Sequence, residues 1–315
     1  MMTPILRINR ISLSHIDLTD NSYTLLPFDP AYDTETICTH VSKTGIILPP
    51  VLKENSTGSY CLISGRDRVT AAQTMALSSL DCFIIPRECS EEQVYTIVLN
   101  EAIIHGQLSP IEKAVFFQKA LQIWPLETVA ELFLPVLKLP QRTSTISKLL
   151  PLANIEQPIA EAIHEGSFDE KAACELAKLS FRDRIILFEA ISKLHLSVSN
   201  QRKLISYCLD LSLRHNSSIQ SILSSNEVQA IINHEEANTP QKAANLMIYL
   251  QSSLTPRHTE AQKTFNTLKQ SLRLPKYATL THATAFEKDD LTLSITFKDS
   301  KSLLEFCDSS FNTEE

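Results

Sequence analysis

Residues 60–72 read YCLISGRDRVTAA, and this short run constrains the chain more than any other. An apolar stretch stops at Ser64 and Gly65, and a helix-forming stretch begins at once with Arg66. The pattern predicts a strand that enters a helix through a glycine turn. Glycine lets the backbone approach a ligand closely, the first N–H groups of the helix point outward, and Arg66 and Arg68 add positive charge. Such a junction suits a phosphate. An ordinary helix start, capped by Ser64 and flanked by solvated arginines, gives the same local pattern, so the flanking sequence has to separate the two.

Upstream, residues 44–52 read TGIILPPVL, which predicts a glycine turn at Gly45, an apolar strand and a proline pair at a strand end or edge. Downstream, a helix running to about Leu77 is followed by a short apolar strand over 81–85. Residues 99–114 then read LNEAIIHGQLSPIEKA. In this order the elements resemble the N-terminal domain of ParB-type partition proteins, a fold shared with sulfiredoxin. The family shows a glycine-strand-proline element, a Gly-Glu-Arg-Arg box, then Glu-Asn-x-x-Arg and a Leu-x-Pro-x-Glu-x-Ala helix start. Gly45, Gly65, Arg68, Glu101, Leu108, Pro110, Glu112 and Ala114 occupy matching places.

The resemblance implies a cradle for CTP or another nucleotide, formed by Gly45, Ser64, Gly65, Arg66, Arg68 and Glu101. Three departures bear on its chemistry. The box here is Gly65-Arg66-Asp67-Arg68, so a carboxylate stands where the family places an arginine. Ala102 replaces the asparagine of the Glu-Asn pair that helps hold magnesium, and His105 replaces the arginine three residues on. Magnesium binding and CTP hydrolysis are therefore disfavoured. Sulfiredoxin chemistry is disfavoured further, because the box lacks that family's nucleophilic cysteine.

At 315 residues the chain has room for two or three domains, and 43% hydrophobic content suffices for buried cores. No apolar run approaches the roughly 20 residues of a membrane span, and no charged region followed by an apolar core opens the chain. The expected location is cytoplasmic, on the nucleoid if DNA is bound, with no membrane partner. Cys38, Cys61, Cys82, Cys89, Cys174, Cys208 and Cys307 form no C-x-x-C pair, which disfavours zinc and a disulfide framework. Net charge is -7, yet residues 182–214 and 242–276 are enriched in lysine and arginine. A local basic face matters more to nucleic acid than the total.

Beyond Ser109 the pattern is helical. Ser109-Pro110-Ile111-Glu112 is a capping box with proline at the first helical position, and Ala114, Phe117, Leu121 and Trp124 follow at helical spacing. A helix over about 126–134 leads through Pro135 and Pro140 into another over 141–150. In ParB proteins this region is a helix-turn-helix. The resemblance places Gln141, Arg142, Thr143, Ser144, Thr145 and Lys148 on the DNA side, with Ile146, Leu149 and Leu150 toward the core. The connection over 133–140 is long and apolar, and reads equally as a packing surface.

Ser167 and Ser180 each open a predicted helix start, at SFDE and SFRD. Arg182, Arg184, Lys193, Arg202, Lys203 and Arg214 are candidates for a face against the DNA backbone or for plain solvated charge. His195, His215 and His234 stand without metal-ligand spacing. Residues 233–238 form a polar linker, Thr239-Pro240 starts a helix, and another spans about 259–272. ATLTHATAF predicts a strand, residues 287–290 a turn, and LTLSITF a strictly alternating strand with Leu291, Leu293, Ile295 and Phe297 on one side. Ser300 then caps an amphipathic helix. Helix, strand, strand, helix is also the order of the ParB C-terminal dimerisation domain.

The expected class is α+β in three parts: a ParB/sulfiredoxin-like mixed domain over 1–107, an all-helical domain with a helix-turn-helix candidate over 108–236, and a helix-strand-strand-helix element over 237–315. The resemblance implies a dimeric protein that binds duplex DNA, acts in DNA partition or regulation, and has a ParA-like ATPase as a further partner. Two alternatives remain open at this point: an enzyme of the same fold acting on a phosphorylated small molecule with Glu101 as base, and a non-catalytic scaffold for a protein partner.

Overall fold

A computed structural model describes residues 6–28, 34–55, 58–272, 274–275, 277–283 and 290–311. The chain divides into two compact units, Met1–Phe188 and Glu189–Glu315. In the first, β1 (Arg7–Ser12), β2 (Ile16–Asp17), α1 (Thr34–Thr44), β3 (Val51–Glu54), β4 (Tyr60–Ser64), α2 (Arg66–Thr74) and β5 (Ser79–Ile85) come before α3 (Glu91–His105). The remainder of this unit is helical: α4 (Pro110–Ala120), α5 (Leu126–Phe133), α6 (Thr143–Leu149), α7 (Gln157–His164), α8 (Glu170–Leu176) and most of α9 (Phe181–Lys193). The class is α+β, as the sequence predicts.

The five strands form one mixed sheet in the order β1-β5-β3-β4-β2. β3 lies parallel to β5, with Leu52 opposite Ile84, and antiparallel to β4, with Leu52 opposite Leu62. Leu52 is accordingly fully buried, and with Leu62, Val69, Ala72 and Cys82 it forms the core beneath α2. This strand starts later than expected. Residues 46–49 are not a strand: Gly45 closes α1, its N–H donating to Val41 O at 2.8 Å, and Ile47 is 77% exposed. Pairing begins at the second proline, which lacks an N–H donor but whose carbonyl accepts from Phe83 N at 2.8 Å, and the strand runs on from Val51.

Helix α4 starts where its capping box places it: Ser109 Oγ accepts from Glu112 N at 3.3 Å and Glu112 Oε2 from Ser109 N at 2.8 Å. Other starts shift by local hydrogen bonding. Asp169, and not Ser167, caps α8 by accepting from Ala172 N at 3.0 Å, while the Ser167 hydroxyl donates to Ala162 O. Asp183 N donates to Ser180 Oγ at 3.3 Å at the head of α9. Helix α6 begins at Thr143, two residues after the expected start, because Arg142 is extended.

Several helices end on a left-handed residue without the usual glycine. Ala76, Lys138 and His195 have φ of 54°, 55° and 46°. At each, the next residue bonds back across the turn, as in Leu77 N to Ala72 O at 3.0 Å and Leu139 N to Leu134 O at 2.9 Å. These are Schellman closures, which favour glycine at the left-handed position. His195 thus has a backbone role.

The second unit continues with α10 (Val198–His215), α11 (Ile219–Leu223), α12 (Asn226–Ile232), α13 (Thr239–Leu254), α14 (Pro256–Ser271), β6 (Ala278–His282), β7 (Leu291–Ile295) and α15 (Ser300–Phe311). Asn238 caps α13 in a full capping box with Gln241. β6 and β7 pair antiparallel, Leu280 opposite Leu293. The expected turn before β7, apart from Asp290, and the end of the ATLTHATAF segment lie outside the described residues. Asp299 is the cap of α15 in place of Ser300, since its Oδ1 accepts from Ser302 N at 2.8 Å. Leu291 and Leu293 remain 49% and 50% exposed.

Of the cationic residues in the helical stretch, Arg184 is used internally. Its Nε lies 3.0 and 2.9 Å from the two carboxylate oxygens of Glu156, and its Nη1 donates to Leu179 O at 2.7 Å. Burial pushes the Glu156 carboxyl up, but the Arg184 hydrogen bonds and charge, together with a backbone hydrogen bond, hold the group below its ordinary value. The contribution is therefore complete above the ordinary glutamate range and is lost as pH falls through the folded value. Arg184→Ala is expected to cost about 2 kcal/mol at neutral pH, with the difference from wild type fading in acid in urea titrations. Ala76→Gly and Lys138→Gly, each relieving a left-handed side chain at an exposed position, are expected to raise stability by about 0.5–1 kcal/mol in the same assay.

Candidate functional site

The strand β4 and helix α2 meet at Gly65, whose φ of 94° and ψ of 32° turn the chain between them. No side chain caps α2, so its first N–H groups have no acceptor within the helix itself. The junction opens onto a cavity of about 390 Å³. Ser64, Gly65, Arg66, Arg68 and Glu101 all line it, together with Asp67, Ala102 and Glu112. Gly45 does not. It sits at the end of α1 with φ of 71°, three residues before Leu48, whose carbonyl accepts from Arg68 Nη1 at 2.8 Å.

The polar groups of the cavity are bonded to one another. Ser64 Oγ donates to Glu101 Oε2 at 3.0 Å, and Arg68 Nη2 lies 3.4 Å from Ser64 Oγ. Asp67 Oδ1 stands 3.5 Å from Arg68 Nε. Arg66 turns to the segment after β2: Nη1 donates to Leu18 O at 3.0 Å and Nη2 to Asn21 Oδ1 at 2.9 Å. Three carboxylates therefore share the cavity with two guanidinium groups that already hold carbonyl and side-chain oxygens. A phosphate entering here gains Arg68 and the α2 N-terminus and meets Asp67. Ala102 contributes a methyl group where the ParB pattern has an amide oxygen, and the His105 side chain lies outside the described residues. Among the described residues, no three of His, Cys, Asp and Glu are placed to hold a metal ion together.

Sequence reasoning missed the outer wall. Tyr23, Thr24, Leu25, Leu26 and Phe28 line the cavity as well. The Tyr23 hydroxyl donates to Glu91 Oε2 at 3.0 Å and accepts from Lys53 Nζ at 2.7 Å. Burial, and then the Glu91 carboxylate, push the Tyr23 phenol well above its ordinary value. Asp20 lies in the same run. Burial raises its pKa, but hydrogen bonds from the Ser22 hydroxyl and N–H lower it more, so it stays below the usual carboxylate range. The signal for this built turn was in the sequence: Asp17-x-Thr19 and Asp20-x-Ser22 are Asx-turn spacings, and both form, with Thr19 N 2.8 Å from Asp17 Oδ1 and Ser22 N 2.9 Å from Asp20 Oδ1. Cys61, beside this run on β4, is pushed up to about 12 by burial and by the Asp20 hydrogen bond.

The second group of sequence candidates sits on α6. Gln141, Arg142, Ser144 and Lys148 are exposed, Thr143 and Thr145 half-buried, while Ile146 and Leu149 are buried. The Thr145 hydroxyl donates to Pro140 O at 3.0 Å and is occupied by the turn. Helix α6 packs against α4 and α5. The apolar connection between α5 and α6 buries Leu134 fully and half-buries Val136, Leu137 and Leu139, so it packs as well as connects. No helix among the described residues is long and apolar enough to cross a membrane.

At Gly65 an added Cβ would lie 3.0 Å from Nε, Cζ and Nη2 of Arg68, whereas at Gly45 nothing lies within 4 Å. Gly65→Ala is expected to cost about 2–3 kcal/mol, through the left-handed backbone and a displaced guanidinium, and Gly45→Ala about 1 kcal/mol. Chemical denaturation of the two variants reads the difference.

No family model matches the chain. In sequence it is similar to the nucleoid occlusion protein of Halalkalibacterium halodurans, 29% identical over 181 residues that cover 56% of this chain and 59% of that protein. The nucleoid occlusion protein of Lysinibacillus sphaericus is 24% identical over 271 residues, 84% of this chain and 77% of that one. The chain spans about half the length of several other curated relatives it matches. Among solved structures, the C-terminally truncated chromosome-partitioning protein ParB from Caulobacter crescentus, complexed to the centromeric parS site, aligns at a TM-score of 0.35 with 17% identity, over 63% of this chain and 98% of that one. By sequence the chain is similar to the nucleoid occlusion proteins, in line with its resemblance to ParB-type proteins in the order of motifs from Gly45 to Ala114 and with its departures in the nucleotide box.

Proposed function

We propose that the chain is a DNA-binding protein of the ParB and nucleoid occlusion kind, acting in nucleoid occlusion or chromosome partition. The observation that carries this reading is the α5–α6 pair, in which Ile146 and Leu149 bury one side of α6 while Gln141, Arg142, Ser144 and Lys148 stand exposed on the other. Polar and cationic side chains at a helix N-terminus suit phosphates and base edges in the major groove. The half-exposed Leu291 and Leu293 of the β6–β7 pair support dimerisation through the 237–315 element, since a two-stranded sheet needs a further partner for its apolar face. The cavity at Gly65 is the proposed site for CTP or another nucleotide, with Arg68 and the α2 N-terminus on the phosphates and Leu25, Leu26 and Phe28 on the apolar side. With Ala102 in place of an oxygen ligand, the reading includes neither magnesium nor hydrolysis. A cytoplasmic, nucleoid-bound location and a ParA-like ATPase partner belong to the same proposal.

Fluorescence anisotropy with labelled duplex DNA over a range of salt concentrations tests it. Wild type is expected to bind with a log-log salt slope that becomes shallower by about one unit for each of Arg142→Ala and Lys148→Ala. Absence of binding at low salt, or binding indifferent to both substitutions, removes the assignment to α6.

A further inference from the structure

The outer wall of the Gly65 cavity is fixed by side chains reaching it from two directions. From α2, Arg66 holds Leu18 O, Asn21 Oδ1 and, at 3.5 Å, Thr24 Oγ1. From α4, Lys119 Nζ donates to Asn21 O and, at 2.7 Å, to Thr24 O. Asn21 O also accepts the Thr24 N–H at 3.2 Å, so the lysine grips the carbonyl that closes the turn. Lys119 does not line the cavity, whereas Thr24 does. The same helix places Glu112 in the cavity at its first turn and packs against α6.

We propose that Arg66 and Lys119 form a two-sided clasp on residues 21–24, and that Lys119 is a positioning residue through which the helical part of the unit sets the wall of the ligand site. The proposal rests on the reading of the cavity as a ligand site. Its physical basis is the difference between the two cations. Arg66 faces the cavity and is open to competition from an anionic ligand, because a guanidinium bonds more strongly to phosphate oxygens than to neutral carbonyl or amide oxygens. Lys119 lies behind the wall and keeps its two carbonyls when the cavity is filled. Burial lowers its pKa while the Asp20 carboxylate draws it back up, so the ammonium keeps an acidic neighbour. Occupancy then weakens one side of the clasp and leaves the α4 side as the hold on the wall.

Amide hydrogen exchange on the full chain, followed by mass spectrometry, tests the clasp without any ligand. Lys119→Met keeps the apolar stem and removes the donors. It is expected to speed exchange in peptides covering residues 18–28 by roughly tenfold or more, with α4 itself little changed. Lys119→Arg is expected to restore protection, Arg66→Met to mimic the loss from the other side, and Arg68→Ala to leave these peptides unchanged. Thermal shift with CTP as the probe is expected to show weaker stabilisation of Lys119→Met than of wild type, although Lys119 lies outside the cavity. Unchanged exchange over 18–28 in Lys119→Met, or the same acceleration in Arg68→Ala, overturns the clasp. If CTP fails to stabilise wild type, the nucleotide reading falls, and the exchange data still decide whether the clasp exists.

Discussion

The left-handed turn at Gly65 is the constraint from which the rest of the N-terminal architecture follows. It lets β4 leave the sheet and become α2 within one residue, which keeps Leu62 on the strand and Val69 and Ala72 on the helix in the same buried core. The turn also brings Arg68 back over Gly65, to within 3.0 Å of where a side chain would begin. From there the guanidinium reaches Leu48 O and Ser64 Oγ, tying the segment before β3 to the end of β4. One glycine thus serves backbone geometry, core packing and the shape of the cavity together.

Charge in that cavity is set by competition. A guanidinium alone at a helix N-terminus would make a strong anion site. Here Asp67, Glu101 and Glu112 share the space, and Arg66 is directed to the wall over 18–24. The turn and Arg68 match the ParB-like pattern, and the remaining charge is taken up in holding the protein itself. For the proposed nucleotide, that distribution would draw affinity as much from Leu25, Leu26 and Phe28 as from the phosphates.

Much of this is legible in the sequence, and the features that are not have identifiable physical causes. The Gly65 junction and the α4 start could be read because glycine, proline and a Ser-x-x-Glu box act locally, and α4 forms with both reciprocal bonds of that box. The box Ser90-x-x-Gln93 at the head of α3 carries the same kind of signal and also forms with both reciprocal bonds. The edge strand β1, RINRIS, shows almost no apolar alternation because only Ile11 is buried. The closures at Ala76, Lys138 and His195 carry no glycine, so nothing in those residue types announces a left-handed backbone. The wall over 21–24 is held by Arg66 and Lys119, which lie 45 and 98 residues from Asn21. Local periodicity carries no information about pairings of that separation.

The sparse charge of α6 bears on how such a protein could hold DNA at all. Arg142 and Lys148 are the cations on its exposed side, and the chain as a whole is acidic at -7. Each phosphate contact adds about one unit to the salt dependence of binding, so two contacts yield only a weak association at physiological ionic strength. Affinity can then come from joining two such helices, because the second binds at the effective concentration set by its tether to the first. Under the proposed dimerisation, the half-exposed Leu291 and Leu293 of the C-terminal unit would be the means of joining two chains. In the proposed DNA-binding dimer the two features would be complementary: a helix with few cations would gain its hold on DNA from pairing, and a strand pair with half-exposed leucines would gain its cover from the same event.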